Sequence, residues 1–217
     1  MTATQPAQPA RRSADDRRAQ LVAIGLELLP TTPVQELTID EVARRAGISR
    51  SLLFHYFPSK RDYLIAVTRA AADLLRGHLT PRGDVPVEQR AAWMLDRYVG
   101  WVETYRETHL AFVRGASGGD PWVAEVYEQT REALVDLGIG ALGGLDDPLR
   151  RQLVRAWFAF TEDLVQQWVR EPATSREELL ALLTDVLDRL LGRWPTVSPR
   201  GSPEPGRPPR RPGARAG

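Results

Sequence analysis

Arg50, Ser51, His55, Tyr56 and Lys60 fall within eleven consecutive positions and bring together a guanidinium, a hydroxyl, an imidazole, a phenol and an ammonium. These groups donate to and accept from base edges and phosphate oxygens. They do not have the spacing of a metal site, and His78 and His109 lie too far along the chain from His55 to complete one. No nucleophile, base and oxyanion-stabilising set can be assembled from the rest of the sequence. Gly138-Ile-Gly140-Ala-Leu-Gly143 matches the dinucleotide-binding glycine pattern only in its letters. It follows a helical pattern, not a strand, and Asp146-Asp147-Pro148 stands where a phosphate-facing helix would begin. An enzyme is not expected.

The elements that must position those five side chains are readable between Leu37 and Leu64. Thr38 is placed to cap a helix, with Glu41 three residues on to complete a capping box. Ile39, Val42 and Ala43 give that helix one apolar face. Gly47 stands where a left-handed residue ends it, and Ser49 caps a second helix over Arg50 to Tyr56. Leu53 and Phe57 then point to a core, with one side of Leu52 or Phe54, and Arg50, Ser51, His55 and Tyr56 face outward. Pro58 stops the helix, Ser59 caps the next, and Lys60 lies at its amino end, where a cation and a helix dipole together favour phosphate. This is the layout of a helix-turn-helix, whose second helix enters the major groove with its first turn against base edges. The same helix pair could instead contact protein, and spacing alone leaves both readings open.

The motifs Gly47-Ile48-Ser49, Leu53-Phe54-His55-Tyr56-Phe57, Ser59-Lys60 and Leu64 resemble the signature of the TetR family of one-component transcriptional regulators. The resemblance covers residues 15–76 by motif and the remainder by helical pattern and length. It implies a DNA-reading surface made of Thr38, Arg50, Ser51, Leu52, His55, Tyr56 and Lys60. The family has tyrosine where this chain has Phe54. A phenyl ring cannot donate to a phosphate, which leaves that contact to Tyr56. The resemblance further implies a homodimer on a palindromic operator, and an effector in the carboxyl-terminal part that changes the spacing of the two heads. The segment Tyr98–Leu134, with Phe112-Val-Arg-Gly-Ala-Ser-Gly-Gly-Asp-Pro121, resembles TetR-type regulators of actinobacterial lipid metabolism, which implies a fatty acyl thioester as effector.

Charge is unevenly shared. Residues 1–80 hold 11 Lys/Arg against 8 Asp/Glu, residues 81–192 hold 12 against 19, and residues 193–217 hold 6 against 1. A basic head on an acidic body suits a molecule that meets phosphate at one end. The absence of cysteine excludes disulfides, thiolate metal sites and cysteine catalysis. The amino terminus lacks the apolar stretch of a secretory signal, and no apolar run reaches the ~20 residues of a membrane span. A cytoplasmic protein without membrane contact, cofactor or metal is expected.

The expected architecture is all-α. Residues 1–12 form a disordered arm, 13–60 a three-helix DNA-binding head, 61–80 a connecting helix, 81–192 a helical effector-binding and dimerisation domain, and 193–217 a disordered Pro/Arg-rich tail. Arg11, Arg12, Arg17 and Arg18 either reach phosphate or form a solvated basic stretch. The first helix runs from Ser13 or Ala14 to Leu29, with Gly25 allowing a close helix approach. Further helices are predicted over Val87–Thr108, His109–Gly115, Pro121–Leu137 (capped by Asp120 after an Ala116–Gly119 loop), Pro148–Arg170 (capped by Asp147), and from the Ser175–Glu178 capping box to Leu191. The last helix carries two apolar stripes, Leu179/Leu183/Val186/Leu190 and Leu180/Leu187/Leu191, one for the core and one for a partner subunit. Trp101, Tyr105, Phe112, Trp122, Tyr127, Trp157 and Thr161 are the candidates to line an apolar effector pocket, because large rings leave irregular gaps between helices.

Overall fold

The computed structural model describes residues 13–118, 121–144 and 147–192, and every element in them is helical. The helices are α1 (Ala14–Leu28), α2 (Ile39–Ala46), α3 (Arg50–Tyr56), α4 (Lys60–Leu79), α5 (Val87–Thr104), α6 (Arg106–Gly118), α7 (Pro121–Ala141), α8 (Pro148–Arg170) and α9 (Arg176–Gly192), with a 3-10 turn at Val34–Glu36. The arm, the tail and the Asp120 cap lie outside the described residues.

Local chemistry sets the helix ends of the head. The Ser13, Thr38, Ser49 and Ser59 hydroxyls each accept from a backbone N–H in the first turn of the helix they precede. Gly47 has φ 65°, and its amide closes α2 on the carbonyls of Ala43 and Arg44. The expected box at Thr38 is half made. Thr38 accepts from the Glu41 amide at 3.3 Å, while the Glu41 carboxylate turns away to Arg44 at 2.7 Å and Arg45 at 2.8 Å. Two arginines outbid one backbone amide for the same carboxylate, and they hold its pKa below the usual value.

α1, α2, α3 and the first half of α4 enclose Leu21, Val42, Leu53, Phe57, Tyr63 and Val67, all fully buried. The Tyr63 hydroxyl donates to the Leu21 carbonyl at 3.0 Å, pinning α4 to α1. Gly25 makes this contact possible: a Cβ there would lie 2.5 Å from Val67 and 2.6 Å from the Tyr63 hydroxyl. The head's core is completed from outside it. Trp122, Val123 and Val126 of α7 are buried in the same cluster, and Phe112 and Ala116 of α6 pack against it.

The body has its own core, in which Val99, Val102, Val165 and Leu183 are completely buried. Trp157 donates its indole N–H to the Leu183 carbonyl at 3.0 Å, holding α9 on α8. Arg176 ties α9 to α5 through Asp96 at 2.7 Å and Glu103 at 3.3 Å. On the outer side of α7 and α8, Arg151 and Arg155 pair with Glu128, Glu132 and Asp136.

Four further expectations are corrected. The stretch predicted as one helix from Val87 to Thr108 breaks at Tyr105, whose φ −111° and ψ 33° leave the helix while its ring stacks 4.3 Å from Trp101. The loop expected at Ala116–Gly119 is helical through Gly118, because α6 runs on against the head; a Cβ at Gly115 would meet Gln35 at 3.1 Å and Val123 at 3.3 Å. α7 also continues past Leu137 to Ala141, with Gly138 admitting Phe158 and Val154 of α8. On α9 the buried stripe is Leu179, Leu183 and Leu187, which regroups the two predicted stripes. Phe160 of α8 and Leu182 of α9 remain 43% and 48% exposed.

Candidate nucleic-acid interface and interior cavity

The short helix α3 carries the exposed surface. Leu53 is fully buried under it, so Arg50, Ser51, Leu52 and His55 face outward; Phe54 and Tyr56 are half-buried and pack against the head core. Leu52, placed in the reading surface by resemblance, is 39% exposed. The Ser51 hydroxyl lies 2.9 Å from that of Ser49, and the His55 and Tyr56 rings meet edge to face at 5.3 Å. Arg50 is held by Asp40 of α2 at 3.1 Å, with both side chains largely exposed. Lys60 donates to the Gln35 carbonyl at 3.4 Å, and Thr38 is exposed at the start of α2. Of the amino-terminal arginines, Arg18 lies 4.8 Å over the Phe57 ring and Arg17 donates to Gln20, while Arg11 and Arg12 lie outside the described residues. The Asp40 and Gln35 partners were missed from sequence, since only the fold brings them to the ends of α3 and α4.

The seven aromatic and threonine candidates separate into three places. Trp101, Tyr105, Phe112 and Tyr127 line one cavity of about 110 Å³. Trp157 and Thr161 line a smaller one of about 20 Å³. Trp122 lines neither and is buried in the head core. It was expected in a pocket because it lies on the same stretch as the other rings, but it opens α7, where that helix packs on α4 and joins the head core.

The larger cavity lies between head and body. Leu26, Leu29 and Val34 come from the head, Thr68, Ala71, Ala72, Leu74 and Leu75 from α4, Tyr105 from the α5–α6 junction, and the rest from α5, α6, α7 and α8. Thr108 donates its hydroxyl to the Leu29 carbonyl, a direct link from α6 to the carboxyl end of α1. The polar groups gather on one wall. The Tyr127 hydroxyl donates to Glu162, and Arg131 lies 5.9 Å over the Tyr127 ring. The Tyr98 hydroxyl sits 3.3 Å from His109 Nε2. Burial raises the Glu162 pKa, opposed by the Tyr127 hydrogen bond and by Arg131. Burial pushes His109 down to about 4, so its imidazole is neutral near pH 7. His109, Thr130 and Arg131 were not singled out for this wall from the sequence; the α5–α6 break at Tyr105 carries His109 back onto Tyr98.

The model of the bacterial regulatory proteins of the tetR family matches residues 21–67, and that of the tetracyclin repressor-like C-terminal domain matches residues 87–188. The chain belongs to the TetR family. Within the family it is 43% identical over 58 residues to the HTH-type transcriptional regulator EthR of Mycolicibacterium smegmatis, a match spanning 27% of each chain. A tetR-family transcriptional regulator from Streptomyces coelicolor superposes with a TM-score of 0.69 at 25% identity, covering 87% of this chain and 94% of that one. FadR from Bacillus subtilis, solved in complex with stearoyl-CoA, shares the fold with a TM-score of 0.58 at 15% identity over 79% of this chain and 96% of that one. Among the described residues no helix is long and apolar enough to cross a membrane, and no group of three or more His, Asp and Glu side chains is placed to hold a metal ion.

Proposed function

We propose that this TetR-family chain is a cytoplasmic transcriptional repressor that occupies a palindromic operator as a homodimer and leaves it when an effector fills the interior cavity. The observation that carries the reading is the outward face of α3. Its first turn offers Arg50, Ser51 and Leu52, and His55 follows one turn on, with Thr38 and Lys60 at the neighbouring helix starts. Residues 13–60 act as the reading head, and residues 81–192 bind effector and partner. Tyr56 takes the phosphate contact that Phe54 cannot make. Phe160 on α8 and Leu182 on α9 supply exposed apolar surface for a bundle with the same two helices of a second copy.

The effector is small and largely apolar, with the cavity rings around it and Arg131, Tyr127 and Glu162 at its polar end. An acyl thioester suits this polarity, and the FadR neighbour's stearoyl-CoA supports that class. Leu26, Leu29 and Val34 share the cavity with the body, so an effector that prefers one head position shifts the equilibrium by its differential affinity. A coupling of about 1–3 kcal/mol changes operator affinity on the order of 5–150-fold.

Selection of bound duplexes from a random library tests the reading. An enriched palindrome is expected, and Arg50→Ala with Lys60→Ala is expected to abolish its binding while helicity and dimer persist. No enrichment from a folded dimer, with and without acyl thioester, would point to a protein partner for α3 instead.

A further inference from the structure

The larger cavity carries more polar groups than a purely apolar ligand can use. Three of its hydroxyls are engaged with the backbone: Thr68 donates to the Leu64 carbonyl at 2.8 Å, Thr130 to the Val126 carbonyl at 2.7 Å, and Thr108 to the Leu29 carbonyl. The Tyr98 hydroxyl pairs with His109. The two charged side chains on the wall are not satisfied in this way. Glu162 of α8 accepts from the Tyr127 hydroxyl through Oε2, and among the described residues no cation and no second donor reaches its Oε1. Arg131 of α7 lies 5.9 Å over the Tyr127 ring, and among the described residues it makes no hydrogen bond or ion pair. Tyr127 thus meets an acceptor with its hydroxyl and a donor with its ring face, both half-buried and both on the cavity wall. A carboxylate only accepts, and a guanidinium only donates. Water serves such groups in solution, and a ligand that displaces it without replacing its hydrogen bonds loses affinity.

We infer that the effector carries a hydroxyl beside its carbonyl and that Glu162 selects for it: the ligand is a 3-hydroxyacyl thioester, not a plain acyl one. This rests on the effector reading above and specifies the ligand further. At the polar end of a plain acyl thioester the carbonyl oxygen and the sulfur are acceptors only. Arg131 can donate to the carbonyl, but Glu162 then opposes an acceptor with an acceptor. The nearest N–H of the pantetheine arm lies beyond the sulfur, on the side away from the chain. A hydroxyl two carbons from the carbonyl gives Glu162 its donor while the carbonyl accepts from Arg131. The chain beyond it runs against Leu26, Leu29, Val34 and Leu75. A site built to hydrogen-bond a hydroxyl rejects the analogue without one more sharply than an apolar wall rejects an extra methylene. Glu162 therefore sets specificity without touching the chain.

The test is calorimetric titration of the full chain with matched coenzyme A thioesters from butanoyl to dodecanoyl, plain and with each enantiomer of the 3-hydroxyl. One enantiomer is expected to bind about tenfold tighter than the plain ligand of the same length, the low end for a hydrogen bond to a charged group. Glu162→Leu should remove that preference. Glu162→Gln should raise the affinity for plain thioesters, because its amide donates to the carbonyl that the carboxylate opposes; a merely structural role for Glu162 would not produce that gain. Equal affinity of plain and 3-hydroxy ligands at every length in the wild-type chain overturns the inference and leaves an acyl effector standing, and so does a preference that survives in Glu162→Leu. A loss in Glu162→Leu shared equally by both series also overturns it, and assigns the carboxylate to the pantetheine N–H. Failure of every thioester to bind the wild-type chain overturns the inference together with the acyl class, while operator selection reports separately on DNA binding.

Discussion

In the proposed operator complex, Arg50 exchanges its pair with Asp40 for DNA. The pair spans 3.1 Å, with side-chain exposures of 62% and 66%, and so belongs to the class of surface ion pairs worth about 0.2–1 kcal/mol. Asp40→Asn removes that competition. It also removes a carboxylate beside the surface proposed to meet phosphates. A unit charge about 7 Å from a phosphate in water interacts with it by roughly 0.6 kcal/mol, and salt with a Debye length of about 8 Å cuts this by about half. The two contributions sum to about 0.5–1.3 kcal/mol, an affinity gain of about two- to tenfold. Fluorescence anisotropy with the selected duplex at fixed physiological salt measures it. In an Arg50→Ala background the gain from Asp40→Asn should shrink to the phosphate contribution alone, which a double-mutant cycle isolates. Weaker binding by Asp40→Asn, at unchanged helicity, would refute the reasoning: Asp40 would then be orienting Arg50 for its base, or accepting from a base itself.

Gly25→Ala forces a methyl group into the α1–α4 contact and displaces the Tyr63 hydroxyl from the Leu21 carbonyl. Overpacking and a broken buried hydrogen bond, less the helix propensity gained, should cost about 2–4 kcal/mol, read from urea unfolding at fixed protomer concentration; a stabilised variant would show that α4 simply slides away. His109 titrates near 4 when folded and near its ordinary 6.5 when unfolded, so between those values the unfolded chain binds the extra proton. Its share of stability, about 3 kcal/mol, is intact above pH 6.5 and is lost progressively as pH falls toward 4. His109→Phe should flatten that part of the stability–pH curve, and an unchanged curve would mean the imidazole is protonated in place. Operator affinity should fall linearly on a log–log plot against salt, with a smaller slope in Lys60→Ala; equal slopes would remove Lys60 from the phosphate contacts.

Legibility followed sequence separation. The α2–α3 unit could be read because its caps, its glycine turn and its buried Leu53 lie within a few residues of one another, where propensity and capping decide the outcome. Gly25 could be read as a site of close approach, though not what approached it. The α6–α7 region was misread through its glycines. Gly118 and Gly138 carry the local signature of turns, yet both are helical, and at Gly138 the Phe158 and Val154 side chains of α8 occupy the space beside the missing Cβ. The cavity rings were recognisable as a class, but their sorting was not. Trp122 and Trp101 look alike in sequence, and only the packing of α7 onto the head sends one into a core and leaves the other beside a void. Least visible were Leu26 and Leu29, which line the cavity from the far side of a contact that Thr108 makes across 79 residues.

Trp122, Val123 and Val126 also limit how this molecule can be taken apart. A fragment ending after α4 would leave the apolar surface that these three side chains cover open to water, in a unit already near the size at which a core barely sustains itself. Transplanting the reading head onto another regulator's body therefore requires the first two turns of α7 to travel with it, or a recipient helix that supplies the same three side chains in the same register. The natural seam for building hybrid regulators lies inside α7, not between α4 and α5.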